Sequence, residues 1–250
     1  MTWLATVLDV LLPGRCVGCG APPCSLCRRC LATARSAPSD PPPPGLDWWA
    51  APFAYEGAVR EALARVKYRN ARSALPALGA ALVGRVGAEL PEPVDVVTWT
   101  PTTAARRRAR AFDQAEHLAR AVARCLSVPA RACLVRQAGP SQTGRSAEAR
   151  RLGPAFCSGP FPVAGRRVLV VDDVATTGAT LAAAARVLRS GGAAWVGAAT
   201  VARTPRRVAP RDWCGSVAGR SSPSGGPPLS AVSRGSASGR GPPRKERNDF

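Results

Sequence analysis

Three groups of residues in this sequence have the types and spacing for chemistry. The first is Asp172 and Asp173, adjacent carboxylates that follow the apolar run Val168, Leu169, Val170, Val171 and precede Ala175, Thr176, Thr177, Gly178, Ala179 and Thr180. Side-by-side carboxylates repel one another, so packing alone does not explain them. They suit a pair of vicinal hydroxyls, or a Mg²⁺ held through water. The second group is Cys16-x-x-Cys19 with Cys24, Cys27 and Cys30, thiols at metal-ligand spacing. The third is the cationic cluster Arg106, Arg107, Arg108 and Arg110.

The elements that must position these groups can be read from the pattern around them. A β-branched apolar run bounded by turn signals predicts a buried strand of a parallel sheet, with the acidic pair where that strand should end. Leu181, Val187 and Leu188 among many alanines predict a helix after the small-residue loop. Such a loop can aim several backbone N–H groups at one point, and the helix N-terminus adds partial positive charge, so a phosphate is the natural guest. Thr176, Thr177 and Thr180 can add hydroxyl donors, and Gly178 permits φ > 0. The combined guest is a ribose 5-phosphate. No Lys follows the glycine, so the pattern is not a P-loop.

The stretch VLVVDDVATTGAT resembles the signature of type I phosphoribosyltransferases, which bind phosphoribosyl pyrophosphate (PRPP).

The remaining chain is read outward from this unit. With 250 residues it has room for one sizeable domain and appendages. Its net charge of +19 favours anionic partners: phosphorylated metabolites, nucleic acid, or both. From Arg203 onward ten basic residues face three acidic ones, which leaves +12 on the part expected to fold. Aromatic residues are only 5%, so stacking platforms for single-stranded nucleic acid are not evident. No apolar run approaches the roughly 20 residues of a membrane span. The N-terminal stretch MTWLATVLDVLLPGRC lacks a basic n-region and is interrupted by Asp9, so it is read as a short helix, not a signal peptide. The expected location is the cytoplasm, where thiols stay reduced.

Residues 1–45 are expected to form a cysteine module and linker. Gly14, Gly18 and Gly20 flank the first cysteine pair, as knuckle turns require. Two CxxC pairs give four thiolates for a structural Zn²⁺ with no open position. The favoured set is Cys16, Cys19, Cys27 and Cys30; Cys24-x-x-Cys27 as second pair is the rival, and a disulfide or redox cluster is the bland alternative. SAPSDPPPPG, residues 36–45, is a proline-rich linker.

Residues 46–203 are expected to be the α/β domain. Trp48, Trp49, Phe53 and Tyr55 predict a strand or hairpin. Val59, Leu63 and Val66 then predict a helix, with Arg60, Arg65, Lys67 and Arg69 on its solvated side. An alanine-rich helix over 71–90, a strand over 94–100 and a helix from near Asp113 follow, the last with Ala115, Leu118, Val122 and Leu126 on one face. Between that strand and helix, the arginines at 106, 107, 108 and 110 read as a flexible loop. It can close over pyrophosphate and neutralise the charge that grows as a bond breaks, or it is simply a solvated or nucleic-acid-binding loop. His117 reads as a surface residue. Short strands over 128–135 and 193–202 complete a parallel sheet with right-handed crossovers, whose ligands bind beyond the carboxyl ends of the strands. Residues 204–250 are Ser-, Gly-, Pro- and Arg-rich without apolar period, and read as a disordered tail.

Taken in order, the cysteine module, YEGAVREALARVKYR, RARAFDQAEHLA, SQTGRSAEARRLGPAF and VLVVDDVATTGAT resemble the ComF family of phosphoribosyltransferase-like proteins, linked to DNA uptake in natural competence. The resemblance implies a type I phosphoribosyltransferase-like parallel sheet flanked by helices. It implies Mg²⁺–PRPP bound with Asp172 and Asp173 on the ribose hydroxyls, residues 175–180 on the 5-phosphate, and the arginine cluster over pyrophosphate. Transfer of the phosphoribosyl group to a nitrogen acceptor would follow, with the acceptor met by a variable hood in the N-terminal third. The alternative it allows is a non-catalytic PRPP- or nucleotide-binding factor, with DNA and competence proteins such as a helicase as partners, and oligomers are possible. The sequence departs from the family's usual Arg-Gly-Phe-Asn-Gln with Arg110-Ala111-Phe112-Asp113-Gln114, which adds a negative charge near the proposed pyrophosphate loop. It departs again at Arg151-Leu152-Gly153-Pro154, where the family tends to place an Asn after the Arg.

Overall fold

The computed structural model describes residues 15–22, 24–69, 72–110, 112–137 and 154–205, without the side chains of 69, 106, 109 and 110. All lie in the first of two units of the chain, Met1–Arg207. The expected N-terminal helix, the polar segment over 138–153 and the tail from residue 206 fall outside the described residues.

The fold is built on β6 (Arg167–Ala175), the predicted apolar strand. It pairs in parallel with β3 (Val96–Trp99) on one side and β7 (Trp195–Arg203) on the other. The far edge of β7 takes β1 (Trp48–Ala50) and β2 (Phe53–Ala54), again in parallel. The aromatic segment therefore forms one interrupted edge strand, not a hairpin. Pro52, which has no amide to donate, stands at the interruption. β6 also runs further than its apolar pattern suggests. Asp172 pairs with Thr200, Val174 with Ala202 and Ala175 with Arg203, so the acidic pair lies inside the strand, a few residues before its end.

Both sheet faces are covered, which is why β6 reads as a continuous apolar run. Val97, Leu169, Val171, Ala199 and Val201 face one core, with α2 (Gly57–Arg69), α3 (Leu75–Glu89) and α5 (Gln114–Cys125). Val96, Val168, Val170, Val196 and Ala198 face the other, with α6 (Ala179–Ser190) and the antiparallel pair β4 (Leu134–Arg136) and β5 (Phe156–Ser158). The helix faces follow the expected spacing: Val59, Ala62, Leu63 and Val66 are buried on α2, and Leu118, Ala119 and Val122 on α5. Leu169 is fully buried, so Leu169→Ala would cost about 2–5 kcal/mol.

The cysteine module packs onto this framework. Its short helix α1 (Arg28–Ala32) contacts α2, Leu26 is buried in the first core, and the Ser25 hydroxyl bonds that of Ser73 in the 3-10 turn Arg72–Ala74. The proline-rich segment is docked as well. Asp40 Oδ2 lies 3.0 Å from Nη2 of the buried Arg203, and Pro43 is buried.

The arginine-rich segment differs from expectation. Its residues form a helix, α4 (Ala104–Arg110), where a flexible loop was predicted. Alanine and arginine are strong helix formers, and that local propensity outweighs the mutual repulsion of the cations.

Candidate functional site

The carboxyl ends of β3 and β6 frame a cavity of about 260 Å³, lined among others by Lys67, Thr100, Thr102, Gln114, Asp172 and Asp173. This is where a parallel sheet of this kind takes its ligand. Asp173 Oδ2 pairs with Lys67 Nζ at 3.0 Å. The Asp173 amide donates to Asp172 Oδ1 at 2.8 Å. Burial raises the Asp172 carboxyl and the neighbouring Asp173 charge raises it further, to about 7, against the opposing pull of Lys67, the Asp173 amide and the Thr100 hydroxyl. Burial alone would lower the Lys67 ammonium, but the Asp173 carboxylate, helped by Asp172, holds it above its ordinary value.

Beyond the strand, the small-residue loop enters α6 as the sequence predicts. Gly178 is the N-cap, with φ 77°, a left-handed conformation that glycine adopts at no steric cost. A Cβ there would also meet Pro43 Cγ at 2.7 Å, so the proline segment packs directly on the loop. Thr177 Oγ1 accepts from the Ala179 amide at 3.3 Å. Among the described residues the amides of Thr176, Thr177 and Gly178 find no backbone acceptor, an arrangement that suits an anion at the start of a helix. Thr180 lines the same cavity as the acidic pair, and Thr176 and Thr177 are exposed.

Two residues of this cavity were not assigned roles from the sequence. By sequence Lys67 belongs to a solvated helix face, yet it supplies the counter-ion of the acidic pair. Gln114 is 5% exposed, and its Nε2 has no partner among the described residues although it lines the cavity. A buried donor without an acceptor is costly, and a ligand oxygen would satisfy it.

Asp113 takes a different part from the one its charge suggests. Its Oδ1 accepts from the Ala115 amide at 3.1 Å as the N-cap of α5, and its Oδ2 accepts from the Thr102 amide at 2.9 Å. Burial raises the carboxyl, while these amides work to keep it ionised. Aspartate and asparagine cap helices equally well, so the departure from Asn preserves the local structure.

Arg107 does not reach this cavity. It lies 3.7 Å from Glu116 and lines an adjacent one, and Arg108 is exposed. The side chains of Arg106 and Arg110 lie outside the described residues. His117 is exposed, as expected.

The cysteine module brings together Cys16, Cys19, Cys27 and Cys30, whose sulfurs all lie within 4.8 Å of one another. Cys24 is not in this group. Gly18 makes the knuckle possible, because a Cβ there would stand 2.7 Å from Cys30 Sγ. The Cys27 amide donates to Cys16 Sγ at 3.3 Å and the Cys30 amide to Cys27 Sγ at 3.4 Å. Burial opposes ionisation of Cys16, but amides of Cys27, Cys19 and Gly18 win and bring it down to about 6. Cys30 is pushed up to about 12, chiefly by its contact with Cys27 and by burial. Four crowded sulfurs cannot all ionise unaided, and a tetrahedral, thiophilic cation such as Zn²⁺ resolves the conflict.

Comparison with known proteins bears on the same region. Residues 113–217 match the family model of the phosphoribosyl transferase domain. The matched stretch begins at the cap of α5 and contains the acidic pair and its loop. With the parallel sheet flanked by helices, this gives the chain a type I phosphoribosyltransferase-like fold.

Several solved structures are similar. One is the allosteric regulatory enzyme of purine biosynthesis, with 23% identity over 52% of this chain and 26% of that one, at a TM-score of 0.36. Another is the glutamine PRPP amidotransferase from B. subtilis complexed with ADP and GMP, with 25% identity over 51% and 26% of the two chains, at 0.35. A third is the purine phosphoribosyltransferase from Pyrococcus horikoshii Ot3, with 17% identity over 52% and 73%, at 0.35. The alignment thus spans about a quarter of the length of the first two. No curated protein matches the chain. Among the described residues no helix is long and apolar enough to cross a membrane.

Proposed function

We propose that the cavity over β3 and β6 binds PRPP with Mg²⁺ and that the protein transfers its phosphoribosyl group to a nitrogen acceptor. The observation that carries this reading is the acidic pair Asp172–Asp173 followed directly by a loop whose amides have no backbone acceptor among the described residues, at the start of α6. Asp172 and Asp173 take the ribose hydroxyls, and residues 175–180 cradle the 5-phosphate. Gln114 Nε2 donates to an oxygen of the ligand, and Lys67 balances the charge of the carboxylates or turns to the pyrophosphate. The arginines at 106, 107, 108 and 110 cover that pyrophosphate only if α4 shifts, since Arg107 faces the adjacent cavity.

The carboxylates of Asp172 and Asp173 are hard oxygen donors of the kind Mg²⁺ prefers, directly or through water. A bound Mg²⁺ would neutralise pyrophosphate charge as the glycosidic bond lengthens. The chain's own part is to orient ribose and stabilise charge, because the transition state resembles an oxocarbenium ion. Zn²⁺ in the Cys16, Cys19, Cys27, Cys30 cluster would be structural, with four protein ligands and no open position.

Calorimetry with Mg²⁺–PRPP tests the reading, with wild type and the Asp172→Ala/Asp173→Ala variant side by side. Saturable binding lost in the variant supports it; no binding by folded, zinc-loaded wild type overturns it. The likeness to the ComF family extends the reading to DNA uptake in natural competence. That extension rests on the sequence resemblance alone, and salt-dependent DNA binding by residues 1–203 would test it.

A further inference from the structure

A second cavity, of about 500 Å³, shares the Asp113 wall with the first. Its size falls within the roughly 300–1,000 Å³ of small-molecule sites. The chemistry of its lining differs from that of the ribose cavity. Two carboxylates, Asp113 and Glu116, line it, but three guanidinium groups, Arg72, Arg107 and Arg120, outnumber them beside Phe112, with Glu116 paired with two of them.

Two features define what would fit. The Arg72 guanidinium lies 4.1 Å from the centroid of the Phe112 ring. Arg72 is an exposed residue of the cavity lining, and a planar ring can lie on a guanidinium as it does on an aromatic side chain. The other feature is a cationic pair held in place. Arg120 Nη2 lies 2.7 Å and Arg107 Nη2 3.7 Å from the two carboxylate oxygens of Glu116, so one carboxylate gathers two guanidinium groups from α4 and α5. Asp113, whose two oxygens accept backbone amides, is the other carboxylate of the lining, against three guanidinium groups. Guanidinium forks match phosphate geometry, and a dianion outcompetes a single carboxylate for them.

We infer that this cavity is a binding site for an aromatic monophosphate, a planar ring joined to a dianion, with the ring on the Arg72–Phe112 stack and the phosphate on Arg107 and Arg120. Nucleoside monophosphates are the common ligands of this class. Glu116 then acts as a placeholder that keeps the two arginines gathered when the site is empty. The site needs α4 as it stands here, with Arg107 on Glu116 and not over the neighbouring cavity.

The test uses the full-length, zinc-loaded protein and two probes, adenosine 5′-monophosphate and inorganic phosphate, followed by calorimetry. Wild type should bind the nucleotide saturably and more tightly than phosphate. Arg107→Ala/Arg120→Ala should weaken the nucleotide by about tenfold or more, the scale of one lost charge-assisted contact. Glu116→Gln should tighten it several-fold, on the order of the removal of one competing charge. A merely structural Glu116 would not produce that gain. Asp172→Ala/Asp173→Ala, which removes the carboxylates of the neighbouring cavity, should still show a saturable nucleotide site that depends on Arg107 and Arg120. Thermal melts of each variant report whether it is folded. The inference is overturned if folded wild type shows no saturable nucleotide binding, or if phosphate binds as tightly as the nucleotide. It is also overturned if binding disappears in the aspartate variant while surviving in the arginine variant.

Discussion

Lys67 Nζ stands 3.0 Å from Asp173 Oδ2, on a helix that otherwise serves to fill the core. The pair is partly buried, with side-chain exposures of 24% and 11%, so water screens it incompletely. Removing the cation leaves two adjacent carboxylates facing each other unbalanced.

Lys67→Met should therefore destabilise the fold by about 1–3 kcal/mol, between the values for exposed and buried pairs. Urea denaturation at pH 7 measures this. The same variant should lose about tenfold in Mg²⁺–PRPP affinity, roughly 1.4 kcal/mol. Unchanged stability and affinity together would show that the pair has no energetic role.

The Asp172 carboxyl gives a pH dependence with a defined sign. Its pKa in the fold is raised to about 7 from the ordinary 3.8, so between those values the folded state holds more protons than the unfolded one. Stability from this group is present at low pH and lost as pH rises through about 7. Asp172→Asn cannot ionise, so its advantage over wild type should grow from pH 4 to pH 8. Denaturation series at several pH values would show a flat difference if the carboxyl were not raised, and the opposite trend if it were lowered. Mg²⁺-dependent ligand affinity should increase over the same interval in wild type, because the metal needs the ionised carboxylate.

One Zn²⁺ per chain is expected, measured by elemental analysis after dialysis. Cys24→Ser should keep it, while Cys19→Ser should lose it, because Cys24 stands outside the clustered sulfurs. Gly18→Ala should weaken retention too, since its Cβ would collide with Cys30 Sγ. Acid should strip the metal as protons compete for the thiolates. Equal metal content in Cys19→Ser would remove this ligand set from consideration.

Gly178→Ala should be destabilising for two separable reasons. A left-handed alanine costs about 1–2 kcal/mol, and the contact with Pro43 Cγ adds a clash. Pro43→Ala in that background should recover the clash and leave the backbone cost. A double-mutant cycle by denaturation would expose the alternative, in which the two changes are simply additive.

Asp113→Asn should retain the cap of α5 and most of the stability, whereas Asp113→Ala should lose about 1–2 kcal/mol. The alanine variant also frees the Thr102 amide at the wall of the Asp172–Asp173 cavity, so its PRPP affinity should fall more than that of Asp113→Asn. Equal thermal melts for both variants would count against the capping role.

Local chemistry alone determined the heart of this protein. A β-branched run must pair and be buried. Adjacent carboxylates before a loop of small residues have few structural uses, and paired CxxC knuckles bring sulfurs together through turns of a few residues. These interactions lie within one stretch of chain, so β6, the acidic pair, the loop into α6 and the cysteine cluster are legible from residue order. Helical spacing likewise placed Val59, Leu63 and Val66 in the core. It could not say that Lys67, one position beyond the buried stripe, meets Asp173, because that partner lies far along the chain and is brought near by the sheet. Gln114, Asp113 and Pro43 have the same origin: a solitary donor, a cap that also holds Thr102, and a proline filling the space over Gly178. The arginine segment turned from expected loop to helix because seven residues of high helical propensity close their own hydrogen bonds, which charge alone does not reveal. Charge, periodicity and spacing are properties of neighbours in sequence; which groups neutralise, cap or confine one another depends on the sheet order β1–β7–β6–β3, which only the tertiary fold decides.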